Sequence, residues 1–344
     1  MSSIHSKASF TGDDFHTAMK DVYEHSMLEK QKNAGYFCAH CHTPMVDNLQ
    51  GIITGTAKVD PNDPKAQAAV GCTFCHSIES VHDGMPTRFY DIAADGSVKG
   101  PGRSTKTVSF HNIVKNELFD SPDLCSGCHG YLKNDKGVSI CSLKEEEWDG
   151  KSTCQDCHMK EADGKPAMTS DRKTHRSHAM SGGHSQEMLD SASKMEIKLS
   201  QSAGAVKATV NITNLTAHKL PSTMPFRMVL LKVQAKDASG KVVWENFKGD
   251  PMKEDPGAVF MKVFSAGDKV GVPTWDAEKI AMDTRIPAGA TITRDYTVSA
   301  PGVAEVEASL LYLLLPAPAV KQFNIKPDGY LEVPHPISQA TAKL

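Results

Sequence analysis

Five residues, Cys125-Ser126-Gly127-Cys128-His129, constrain this chain more than any other stretch, because their pattern occurs four times. The other copies are Cys38-Ala39-His40-Cys41-His42, Cys72-Thr73-Phe74-Cys75-His76 and Cys154-Gln155-Asp156-Cys157-His158. Positions i, i+3 and i+4 lie on one face of a helical turn. Two thiols placed so can bond the two vinyl-derived carbons of one porphyrin while the imidazole reaches its iron. C-x-x-C-H is the attachment pattern of c-type haem. Pairs of C-x-x-C can converge on zinc instead, but zinc does not require a histidine after every second cysteine. The four copies take eight of the nine cysteines. Four c-type haems, each with its iron, are therefore the expected cofactors. Cys38, Cys41, Cys72, Cys75, Cys125, Cys128, Cys154 and Cys157 would be the covalent anchors, and His42, His76, His129 and His158 the proximal ligands. The remaining thiol, Cys141, reads as a small buried hydrophobe rather than a reactive or intermolecular one.

Around these motifs the chain divides by composition. Residues 1–37 form a polar arm leading into a helix, with capping chemistry in Thr11-Gly12-Asp13-Asp14 and apolar Phe15, Met19, Val22 and Tyr23 at helical spacing. Residues 38–190 are rich in Gly, Pro, Ser and Asp and poor in apolar runs, so only short helices are expected and the haems serve as the core. Ser121-Pro122-Asp123 and Ser152-Thr153 are helix starts just ahead of the third and fourth motifs. From residue 194 to 344 period-two patterns replace them: Met195–Leu199, Val206–Ile212, Val229–Ala235, Lys241–Trp244, Thr291–Val298 and Val303–Ala308, then the apolar run Leu310–Leu315. Asp237-Ala238-Ser239-Gly240 is a hairpin turn. The expected fold class is α+β: a loop-rich, short-helix tetrahaem domain followed by a C-terminal, immunoglobulin-like β-sandwich. The sandwich carries no catalytic signature and is expected to be a packing module.

Four irons also need sixth ligands, and eleven further histidines are available. His111, midway between two motifs, and His178 and His184, in a loop after the fourth, are candidates. So are His218, at a strand end in the β region, and His16 and His25 on the N-terminal helix. His16 and His25 are nine residues apart and face opposite sides of that helix. His5, His40, His82, His175 and His335 are expected to be solvated or to lie behind the ligands. Methionines such as Met45, Met85 and Met168 could also ligate. The surplus of histidines favours bis-histidine irons, with lower potentials than methionine–histidine ones.

Several features besides the motifs complete a family pattern: Thr43-Pro44, Gly100-Pro101-Gly102, Glu147-Trp148, Met159, Gly182-Gly183-His184, and in the β region Asn214, Ala217-His218-Lys219-Leu220-Pro221-Ser222 and Arg227. The chain resembles tetrahaem c-type cytochromes related to the electron acceptor of hydroxylamine oxidoreductase, and the OmcE-type subunits of extracellular cytochrome filaments. The resemblance implies a chain of alternately stacked and perpendicular haems. It also implies helical filaments of identical subunits, in which one haem takes its sixth ligand from a neighbour.

Other classes fit less well. Net charge is −3, so no basic field invites nucleic acid. No run of about eighteen apolar residues is present, so no transmembrane segment is expected. C-type haem is attached on the exported side of a membrane, so a signal absent from this numbering is expected, with an extracellular location or, alternatively, a periplasmic one. The expected function is long-range electron transfer to redox partners or extracellular acceptors. A periplasmic shuttle is the alternative. An enzyme, a multihaem reductase, would need an iron with an open position, and every motif here ends in histidine.

Overall fold

The structure, a computed structural model, describes residues 3–7, 14–30, 35–82, 90–102, 110–168, 170–202, 204–222, 226–322, 324–325 and 333–344. The capping stretch 11–13 and Met85 lie outside them. Two compact units emerge: one of residues 1–133, 152–181 and 321–326, the other of 134–151, 182–320 and 327–344.

In the first unit, helix α1 (Asp14–Lys30) buries Phe15 and Tyr23, two of the residues whose spacing marks an apolar face. Tyr23 packs edge-on against Tyr36 and its hydroxyl donates to the Gly35 carbonyl at 2.8 Å. The four C-x-x-C-H motifs follow on short helices of one to two turns: α2 (Ala39–His42), α3 (Cys72–Cys75), α4 (Asp123–His129) and α5 (Cys154–His158). Short two-stranded pairings fill the spaces, such as Ile78–Val81 with Tyr90–Ile92. Apolar burial is sparse among the described residues. Phe74, Ile78 and Tyr90 form a small cluster, and Cys41, Cys75 and Cys128 pack against it. The second cysteines of three motifs thus line the same core.

The second unit is a β-sandwich. Strands β1 (Ser193–Ser202), β2 (Ala205–Asn214), β3 (Met228–Asp237), β4 (Val242–Glu245), β5 (Val259–Phe260), β6 (Thr291–Val298), β7 (Val303–Leu313) and β8 (His335–Lys343) build two antiparallel sheets. One runs β6-β2-β1; the other runs β4-β3-β7-β8, with β5 also on β3. Alternate residues face inward, as period two requires. Val206, Ala208, Val210 and Ile212 of β2 meet Val229, Leu231, Val233 and Ala235 of β3 and Val306, Ala308 and Leu310 of β7 in one apolar cluster. Burying each large aliphatic side chain there contributes about 1.5–3 kcal/mol. The turn at Asp237–Gly240 is the expected one: Asp237 N–H reaches Lys241 O at 3.0 Å and Gly240 takes a φ of 83°. Residues 303–313, expected as a strand and a following apolar run, are one continuous strand.

Segment 134–151, between the third and fourth motifs, belongs to this unit. It is held there by an ion network. The buried Glu147 carboxylate pairs with Arg285, which also makes two 2.8 Å bonds to Asp283, and Lys219 reaches Asp283 at 2.8 Å.

Candidate haem-ligand site

Local chemistry sets each motif turn. His42 N–H and His76 N–H bond back to the carbonyls of Cys38 and Cys72, at 3.1 and 3.0 Å, so each histidine closes onto its first cysteine. Before α4, Asp123 N–H donates to the Ser121 hydroxyl at 3.1 Å, the expected cap. Before α5, Thr153 N–H donates to Asp156 at 3.2 Å. The residues between the cysteines do structural work. Phe74 fills the core. Gln155 is buried, and its amide donates to the carbonyls of Ser121, at 2.7 Å, and Phe119, at 3.3 Å, tying the fourth turn to the approach of the third. Arg176 braces the same turn through Gln155 O and Asp156.

The motifs adjoin one another. The Cys125 thiol shares a hydrogen bond with that of Cys154, and Cys75 lies near Cys128. Burial pushes the thiols of Cys38 and Cys75 up to about 11. No three His, Cys, Asp or Glu side chains converge as metal ligands among the described residues.

The imidazoles carry the clearest geometry. His76 Nδ1 bonds to Lys99 O at 2.7 Å, His158 Nδ1 to Ser181 O at 2.5 Å and His178 Nδ1 to Arg176 O at 3.0 Å. A carbonyl at Nδ1 holds its proton there and leaves Nε2 with the lone pair a metal needs. With metal–imidazole bonds of about 2 Å and ring centres about 1 Å further back, two histidines on opposite sides of one iron have centroids about 6 Å apart. His76 and His178 are 6.2 Å apart, with planes at 33°. His5 and His129 are 6.0 Å apart, at 84°. His16 and His42 face each other at 4.8 Å and 46°, roughly 1 Å closer than that separation. His129 as a whole residue is exposed, but its ring nitrogens are desolvated by the chain packed around them. That desolvation, with smaller effects from His5 and His158, pushes its pKa down to about 4, so the imidazole is neutral and able to ligate.

Of the candidate sixth ligands, then, His16 and His178 stand opposite motif histidines. His25 is exposed on α1. His111 is exposed beside Phe110, itself 93% accessible, and faces no motif imidazole among the described residues. His184 and His218 belong to the second unit. There Asn214 shapes the loop that carries His218: its amide donates to the carbonyls of His218, Ile286 and Pro287, and its oxygen takes Thr216 N–H at 2.9 Å. His218 Nδ1 bonds to Lys219 O at 2.9 Å. Of the histidines expected to be solvated or behind the ligands, His40 is fully buried inside the first motif, and His5 sits against His129. Nothing in the polar residues around His5 marks it; only the need for a ligand per iron could have.

Comparison with known proteins bears on the fold. No protein-family model matches the chain, and no curated protein matches it. A solved structure does: a penta-haem cytochrome c552 from Thermochromatium tepidum, with a TM-score of 0.78 and 24% sequence identity, over 99% of this chain and 94% of that one. The two share an α+β, loop-rich fold.

Proposed function

We propose that this chain is a multihaem c-type cytochrome that passes electrons along four covalently bound haems and turns over no substrate. The observation that carries this reading is the set of facing imidazole pairs at the motif histidines. The residues fit the group: each turn offers two thiols and an imidazole on one face, and three of the four have a second imidazole opposite. The three irons held on both sides would have no open position for a substrate, so the chemistry left to them is one-electron exchange. The protein's part is to fix the ligands, through carbonyls at Nδ1, and to hold the motifs side by side. A shared fold with a penta-haem cytochrome supports the same reading. The test is a reductive titration followed by visible absorption, with carbon monoxide added at the end. Expected are four electrons per chain, low potentials and spectra that carbon monoxide leaves almost unchanged. Stoichiometric carbon monoxide binding in the native protein would instead indicate an open, catalytic iron.

We further infer that the chain works outside the cell, as the repeating subunit of a filament in which haems run continuously from copy to copy and on to an extracellular acceptor. In support, α1 presents two histidines differently: His16 turns to its own His42, whereas His25 lies on the exposed surface of the helix.

A further inference from the structure

The N-terminal turn is anchored more firmly than a polar leader needs to be. Residues Ile4–Lys7 form one 3₁₀ turn. Ile4 N–H donates to Ala179 O at 3.4 Å, and His5 O accepts from Val70 N–H at 3.3 Å, two residues before the second motif. Ser3 closes the turn from within: its hydroxyl accepts His5 N–H at 3.3 Å and its carbonyl accepts the Ser6 hydroxyl at 2.7 Å. These bonds hold the His5 ring 6.0 Å from that of His129. His5 Nδ1 is buried without a hydrogen-bond partner. An unsatisfied buried nitrogen costs about 1–3 kcal/mol, and His76, His158 and His178 each avoid that cost with a carbonyl. The His5 ring is thus held against His129 with a nitrogen that no protein group takes up.

We propose that His5 is the sixth ligand of the iron whose fifth ligand is His129, an inference that rests on the tetrahaem reading above. The two planes stand at 84°, against 33° for His76 and His178. Near-perpendicular imidazoles donate almost equally into both iron dπ orbitals and leave them nearly degenerate; near-parallel ones split them. Axial ligation is one of the levers by which a protein sets a haem's electronic state. The His5 iron therefore has its own signature: a broad electron paramagnetic resonance feature at large g, separable from the rhombic spectrum of the His76–His178 iron.

The experiment uses the full-length, haem-loaded protein and two variants, His5→Ala and His5→Met. Expected for His5→Ala are four covalent haems by intact mass, loss of one large-g signal, one high-spin iron that binds carbon monoxide, and return to low spin with added imidazole. Expected for His5→Met is a thioether–iron charge-transfer band and one haem of raised potential. The second variant decides the matter where the first does not mature. If the variants keep four low-spin irons and the native spectrum, His5 is not a ligand, although the tetrahaem reading stands. A native protein without covalent haem overturns both.

Discussion

Asp283 shows how much a single side chain can carry. Burial raises the pKa of its carboxyl, but hydrogen bonds from Arg285 and Lys219 outweigh that and hold it well below the usual carboxylate range. A folded-state pKa below the unfolded value of about 3.9 contributes stability above about pH 4 and loses it as pH falls toward the folded value. Asp283→Asn removes the charge that neutralises Arg285, whose side chain is only 1% exposed and also pairs with the buried Glu147. The variant should lose about 1.5–3 kcal/mol at neutral pH. The difference from the native protein should shrink as the solution is acidified below about pH 4. Urea midpoints measured across that range decide it, and a gap that stays constant with pH would rule out the electrostatic origin. The histidines teach the same point about single residues. The motif makes His76 an expected ligand, but its orientation comes from Lys99 O, twenty-three residues away.

At the scale of elements, much was legible. Each C-x-x-C-H is one helical turn, because i, i+3 and i+4 admit little else that brings thiols and imidazole to one face. The strands were legible from alternation, since one face of each had to be apolar. Strand β8 was missed: Pro336 to Lys343 is mostly polar and small, and its pairing with β7 is dictated by an open sheet edge rather than by its own pattern. The assignment of segment 134–151 to the sheet unit is equally non-local, resting on Glu147 meeting Arg285 across 138 residues of sequence. Of the candidate sixth ligands, His16 on the N-terminal helix and His178 in the loop after the fourth motif stand opposite motif histidines, whereas His5 has no local signal at all. Helical phase separated His16 from His25, because a helix turns by a fixed angle per residue, and α1 runs unbroken through both.

For the whole molecule, the question is whether one chain is the working unit. A heterologous contact that does not close generates an open helical filament, and an iron–imidazole bond across such a contact would make growth depend on one side chain. His25→Ala should leave the haem content at four, abolish filaments in electron micrographs and open one iron to carbon monoxide. His16→Ala should disturb the iron at His42 within the chain. Filaments that persist in His25→Ala with every iron low-spin would remove His25 from the contact, and dispersed native particles would favour a periplasmic shuttle. Beneath either form of assembly lies the claim that four motif turns each hold one covalent haem. Intact-mass measurement of the exported native protein under denaturing conditions tests it most directly, because thioether-bound porphyrin survives unfolding and a coordinated metal does not. A mass increment of four haems per chain is the expected result; an unmodified polypeptide mass, or an increment of three or fewer, would contradict it.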